Sequence, residues 1–415
     1  MLLPVVIGLL SVCGCRAYEE APIDWEAENR TWNAAGEVRL ASLDDVARVA
    51  LVGNADLNRM RLKLAASRKV ARATGWWEDP ELDFDFLRIV NPSENPFLMG
   101  ANLAFTLPLS GVPALERRAA EAYSAADAAD IVAAETETAV AARQAVLRLV
   151  FARLSRSLLR DFDGDARIVR ALSAAERLAD AGEVSVTDLA SAKRRRHARQ
   201  HQLYRQSDEV DAAEAELRRL LGLAPSVKIS LTLDATTLSV SATNVTWSAV
   251  DFVRHPRVKA ALARLEGGER ALETEIRRQY PDLKIGPSYS REDGEDRFGL
   301  IVGTTLPLWN RNRKGIATAE GERDGARADA IAVWRAVVSQ ADSAARKFAR
   351  LSAHGPERRP RREAADALAE AGELRPLEYL AVREEQLEAE LAETEWRLGI
   401  RLAAEELRKF ELEVK

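Results

Sequence analysis

Asn54-Ala55-Asp56-Leu57 opens a stretch that runs to Asp79-Pro80-Glu81-Leu82, and His255-Pro256-Arg257-Val258 opens another that runs to Tyr280-Pro281-Asp282-Leu283. The second stretch lies about 200 residues after the first at both of its ends, a period that calls for a search for further repeats. Leu107-Pro108-Leu109 returns as Leu306-Pro307-Leu308, and Leu178-Ala179-Asp180-Ala181-Gly182-Glu183 returns as Leu368-Ala369-Glu370-Ala371-Gly372-Glu373. Anchors in the same order, with slowly shrinking spacing, mark a tandem duplication with small deletions. The chain is one architecture written twice.

Each copy begins with a helix, Val46 to about Gly75 and Val258 to about Gln279, with apolar residues at three- and four-residue spacing. Pro80 and Pro281 stop these helices, because the residue before proline avoids the helical region. Two alternating stretches follow. Leu82, Phe84 and Phe86 face one way while Glu81, Asp83 and Asp85 face the other. Beyond the polar turn 91–96, Ala101, Leu103, Phe105 and Leu107 repeat the pattern. In the second copy the apolar members are Leu283, Ile285 and Tyr289, then Leu300, Val302 and Leu306, across the turn 291–296. The Ala/Arg/Leu/Glu-rich stretch from about Val112 to Ala181 reads as one long helix, roughly 100 Å at 1.5 Å per residue. Gly182 permits a reversal, and Val186 to about Leu221 runs back. The second copy repeats this from Arg313 through Gly372 to about Phe410, with a break expected at His354-Gly355-Pro356.

Composition narrows the function. Among 415 residues, 60 Lys and Arg oppose 65 Asp and Glu for a formal charge of −5. Nucleic-acid binding wants a marked basic surplus, so no nucleic-acid partner is expected. The two cysteines are Cys13 and Cys15, which leaves no disulfide framework and no thiolate metal cage. His197 and His201 have metal-ligand spacing, but Arg194, Arg195, Arg196 and Arg199 surround them and oppose a cation. No nucleophile elbow, phosphate loop or ligand cluster is present, so an enzyme and a cofactor are not expected. Leu2 to Val12 is an apolar run too short to cross a bilayer as a helix but suited to a signal peptide. Val12-Cys13-Gly14-Cys15 resembles a lipoprotein signal box, with small Gly14 before Cys15 as the acylated (palmitate-type) residue. Cys13 is the weaker choice, because Val12 before it is bulky. Met1-Leu2-Leu3-Pro4 departs from such signals in carrying no Lys or Arg. Arg16 in place of Asp implies sorting to the outer membrane. The expected organisation is a signal over 1–14, an acylated segment over 15–40, a first repeat over 41–224, a connector over 225–254 and a second repeat over 255–415.

Four short strands with one apolar face cannot close a membrane barrel, which needs about eight or more and tolerates no open edge in lipid. Three copies supply twelve. The strand count and the outer-membrane address together predict a homotrimer. The expected fold is mainly α with a small β part: long helical hairpins and four transmembrane strands per chain, three copies assembling into a 12-stranded barrel. The membrane-facing set is Leu82, Phe84, Phe86, Leu103, Phe105, Leu283, Ile285, Leu300 and Val302.

The duplicated order of Asn-x-x-Leu or His-Pro-x-Val, helix, Pro-x-Leu, hairpin, Leu-Pro-Leu, long helix, Ala-Gly-Glu turn and returning helix resembles the TolC-type outer-membrane efflux protein family over about residues 40 to 410. Leu306-Pro307-Leu308-Trp309-Asn310-Arg311-Asn312-Arg313-Lys314-Gly315 is most similar to the branch associated with heavy-metal cation efflux. The resemblance implies a trimer whose 12-stranded barrel continues as a helical tunnel into the periplasm, the outer-membrane component of a tripartite efflux system passing metal cations or small toxic compounds. Its partners would be a periplasmic membrane-fusion adaptor, an inner-membrane pump of the RND type, and outer-membrane lipid. A type I protein-secretion conduit shares the fold. A periplasmic adaptor lipoprotein would share the anchor and a helical hairpin, but not two copies with membrane-type strands.

The resemblance also implies sites. Glu378, in the second hairpin tip, matches an acidic gate position, while the second gate position falls on Ala381. Glu378 reads equally as a solvated carboxylate at a helix start. Gly182, Asp188, Gly372 and Glu373 mark the two tips where an adaptor would dock.

Overall fold

The computed structural model describes residues 18–34, 36–88, 90, 97–233, 247–292, 295–355, 366–368 and 374–411. A short helix α1 (Trp25–Trp32) leads into strand β1 (Glu37–Leu40) and helices α2 (Leu43–Gly53) and α3 (Ala55–Ala73). Strands β2 (Glu81–Arg88) and β3 (Phe97–Leu107) precede α4 (Val112–Asp163), α5 (Ala166–Asp180) and α6 (Val186–Leu221). After β4 (Lys228–Leu231) the second copy gives α7 (Pro256–Arg277), β5 (Leu283–Glu292), β6 (Glu295–Thr304), α8 (Arg313–Ala353) and α9 (Pro376–Leu407).

The expected first helix is two helices. The chain turns at Asn54, whose backbone is extended. Its buried side chain accepts from the Leu57 N–H at 3.0 Å and donates to the Leu220 carbonyl at 3.1 Å. His255, the duplicate of Asn54, does the same work: one ring nitrogen takes the Arg257 N–H at 3.3 Å, the other meets the Lys409 carbonyl at 3.1 Å. Each duplicated helix is thereby tied at its start to the end of its own returning helix. Burial pushes the His255 pKa down, which keeps the ring neutral for this double role. Gly222, at φ +68, ends α6 where its backbone lies against Gly53, and any side chain there would collide with the Gly53 carbonyl.

The expected long helix is likewise broken. It stops at Gly164, and Asp165 restarts it as the N-cap of α5, accepting from the Arg167 N–H at 2.9 Å. Helix α8 ends at Ala353, immediately before the expected break. The region between the repeats adds structure the composition did not suggest: β4 pairs in parallel with β1, Val38 opposite Ile229 and Leu40 opposite Leu231.

Packing follows the apolar stripes. Around α4, Val146, Leu149 and Phe151 meet Leu40, Val46, Leu217 and Ile229. In the second repeat, Phe252, Val258, Val337, Phe348, Leu407 and Phe410 form the corresponding cluster, with Trp247, Phe252 and Phe410 edge to face. A third cluster, Leu159, Phe162, Ile168, Ala192, Tyr379, Leu380 and Leu387, joins the first hairpin to α9. Helices α4 and α7 pack together, and so do α4 and α9. The two copies are interleaved.

Candidate functional site

Strands β2, β3, β5 and β6 form one antiparallel sheet in that order. Leu82 pairs with Leu103, Phe105 with Ile285, and Ile285 with Val302. Pro287 pairs with Leu300 and Tyr289 with Phe298. Because side chains alternate, this register puts all nine residues named from the sequence pattern on one face, joined by Met99, Tyr289 and Phe298. Most of that face is bare. Phe84 is 62% exposed, Phe86 71%, Leu300 66% and Val302 62%. The opposite face carries Glu81, Asp83 and Asp85 on β2, Asn102 and Thr106 on β3, Lys284, Ser288 and Ser290 on β5, and Arg297 on β6. Asn102 donates to Asp85 at 3.1 Å, and Lys284 bridges to Glu81 at 2.7 Å. A sheet apolar on one side, polar on the other and unpaired at β2 and β6 among the described residues is unsuited to water as a single copy.

Bulky aromatics crowd the end of the sheet where the helices begin. Trp76, Trp77, Tyr280 and Trp309 are all exposed there. No described helix is long and apolar enough to cross a membrane, a statement that leaves strands untouched.

The far end of the helical hairpins holds the other expected sites. Gly182 takes φ +77, and the N–H groups of Gly182 and Glu183 close the turn on the carbonyls of Ala179 and Leu178. Asp188 is exposed in the first turn of α6. Glu378 holds the equivalent place on α9 and is also exposed. Its carboxylate accepts the Arg375 N–H at 3.1 Å, so it caps the helix start. Gly372, Glu373 and Cys15 lie outside the described residues.

Next to that tip is a buried polar junction that the sequence did not announce. Arg383, 5% exposed, donates to Asp165 at 3.2 Å and to Gln386 at 2.9 Å. The Tyr379 hydroxyl donates to Asp366 at 3.0 Å, and Arg167 reaches the other Asp366 oxygen at 2.7 Å. The junction sits on the break between α4 and α5 and fastens it to the second repeat. Burial, then the bond to Asp366, pushes the Tyr379 pKa up to about 12. The basic run of α6 has a structural use as well. Arg195 pairs with Glu384 and Arg199 with Glu388, a two-rung ladder at i, i+4 on both helices. His197 and His201 are exposed, and among the described residues no group of metal-ligating side chains converges.

The sequence matches no protein-family model and no curated protein. The fold does match solved structures. A membrane protein from Pseudomonas aeruginosa superposes at a TM-score of 0.71 and 18% identity, over 95% of this chain and 98% of its own. CusC, described for conformational changes accompanying folding and transmembrane channel formation, gives 0.66 at 15% identity over 94% of both chains. The open state of the MtrE outer membrane channel of Neisseria gonorrhoeae gives 0.65 at 16% identity over 88% of both. The chain has the fold of the TolC-type outer-membrane channels, as its duplicated sequence predicts.

Proposed function

We propose that three copies of this chain form a passive conduit through the outer membrane, the exit component of a tripartite efflux system. The observation that carries this reading is the sheet: four strands with an exposed apolar face and two edges unpaired among the described residues, mounted on long helices with charged surfaces. Lipid satisfies the apolar face, and neighbouring copies satisfy the edges. The barrel lumen then carries the polar face, and the helices extend into the periplasm. The channels with the same fold support it. An RND-type inner-membrane pump would supply the energy, and a periplasmic adaptor would meet the tips at Gly182, Asp188, Gly372 and Glu373. Metal cations or small toxic compounds would pass, with Glu378 from each copy forming one carboxylate ring. An acyl chain on Cys15 would anchor the chain to the outer membrane.

The test uses the purified full-length protein in planar bilayers. Trimer-sized particles that insert with uniform conductance steps support the reading. Particles that stay monomeric, or trimers that carry no current in any tip variant, overturn it.

A further inference from the structure

The open edges β2 and β6 have an internal counterpart. In the middle of the sheet, β3 of the first repeat pairs with β5 of the second, and there Leu107 faces Leu283 and Phe105 faces Ile285. That junction is where one repeat meets the next. Leu306 is the duplicate of Leu107 through the shared Leu-Pro-Leu, and Leu82 is the duplicate of Leu283 through the shared Pro-x-Leu. We infer that β6 of one copy pairs antiparallel with β2 of a second copy in this duplicated register, Val302 opposite Phe86 and Ile301 opposite Leu87. The inference rests on the trimeric reading and specifies its seam.

Side-chain chemistry selects the same register. Val302 and Phe86 both belong to the apolar face, so the pairing continues that face without a step. On the polar face, β2 offers Glu81, Asp83, Asp85 and Leu87, and β6 offers Glu295, Arg297, Gly299, Ile301 and Gly303. Each strand has one large apolar residue among them. The duplicated register puts Leu87 and Ile301 opposite each other, whereas a shift of two residues either way puts Leu87 opposite Gly299 or Gly303.

Closure supplies a third constraint. The two hairpins differ in register by two residues: Leu82 faces Leu103, but Leu283 faces Thr304 and not Val302, the duplicate of Leu103. Matching the repeats by hairpin pairing would therefore slide the seam, setting Thr304 opposite Phe86. Going once across a copy from Leu82, the pairing passes Leu103, the level of Pro287, and Leu300. On the inferred seam it reaches Arg88 of the next copy, an advance of about six residues, or about 18 around three copies. With strands about 4.8 Å apart and a rise of about 3.3 Å per residue, twelve such strands tilt by roughly 45°, within the barrel range. The slid seam advances about eight residues per copy and needs a tilt of roughly 55°. Closure rejects it.

Cysteine pairs in the full-length chain decide the register, since Cys13 and Cys15 leave the body of the chain free of native thiols. Val302→Cys with Phe86→Cys, and Ile301→Cys with Leu87→Cys, sample adjacent pairs, one of which has the closer Cβ spacing of a non-hydrogen-bonded site. The competing seam is sampled by Thr304→Cys with Phe86→Cys and by Gly303→Cys with Leu87→Cys. After mild oxidation in outer-membrane preparations, one of the first two variants should give about tenfold more covalent trimer than either competitor. Trimer size without oxidation, read on native gels, confirms that each variant assembles. A competitor that cross-links best overturns the register. So does the absence of any cross-link in assembled trimers. A wild-type chain that stays monomeric overturns the trimeric reading itself, a distinct outcome.

Discussion

At Glu378 two demands meet on one side chain. The carboxylate accepts the Arg375 N–H and so helps to start α9, and it is also the charge that three copies would bring toward one axis. Glu378→Gln separates the two, because an amide oxygen can still accept the backbone hydrogen bond while the charge is gone. Stability should change by less than about 0.5 kcal/mol. In bilayer recordings, cation-over-anion selectivity and block by multivalent cations should both fall, because a charge near a partly dehydrated axis acts strongly on an ion. Glu373→Gln is the control and should be nearly silent; equal behaviour of the two would reduce Glu378 to its capping role. Tyr379 makes a second residue-scale prediction. Its pKa in the folded chain lies near 12, above the ordinary value of 10, so its proton is held more tightly folded than unfolded. The stability it contributes is therefore complete below about pH 10 and is lost as pH rises toward about 12. Tyr379→Phe should cost about 1 kcal/mol at neutral pH by removing the bond to Asp366. Melting curves of the variant should also lose part of the alkaline fall in stability seen between pH 10 and 12.

At the scale of the element, the strands were the most legible part. Alternation has a period of two, so a short run such as Leu82 to Phe86 states which residues share a face. The prolines and polar turns state where the strands end. The observed pairing put Leu103, Phe105, Leu283, Ile285, Leu300 and Val302 on that same face. The helices were legible as helices but not in their joints. Gly53-Asn54 and Gly164-Asp165 sit inside runs whose apolar spacing continues unbroken, and the joint depends on distant acceptors such as the Leu220 carbonyl. The polar junction was illegible for the same reason. Arg383, Asp165 and Asp366 come from three separated segments, and only the crossing of α9 over the break in the first hairpin brings them together. The Arg195–Glu384 and Arg199–Glu388 ladder likewise needs the neighbour of α6 to be known. An arginine scan tests the faces. Phe84→Arg or Val302→Arg should cost roughly 2–4 kcal/mol if the apolar face meets mid-membrane lipid. Asp85→Arg, on the polar face, should be tolerated far better. The readout is the amount of heat-resistant trimer in the outer-membrane fraction, and equal loss from both faces would exclude a lipid-facing role.

For the whole molecule, the central problem is the state before closure. One copy carries a four-stranded sheet with exposed Phe84, Phe86, Leu300 and Val302 and, among the described residues, two unpaired edges that lipid cannot satisfy. On the proposed trimeric reading, such a copy neither inserts alone nor sits well in water, and it would meet two others while held close to the membrane. An acyl chain on Cys15 would do this, since each buried methylene contributes about 0.8 kcal/mol to membrane attachment. Confinement to a surface raises the effective concentration of copies for one another. Cys15→Ser should therefore act on assembly more than on the finished channel. Labelled fatty acid should no longer be incorporated, newly made chain should accumulate as soluble or aggregated monomer, and trimer should form several-fold more slowly in pulse-chase gels. The trimers that do form should stay in the membrane and conduct as the wild type does, because a closed barrel buries its apolar face without help from the anchor. Continued acylation of the variant would place the lipid elsewhere. An unchanged rate of trimer formation would mean that the sheet edges find one another without the anchor.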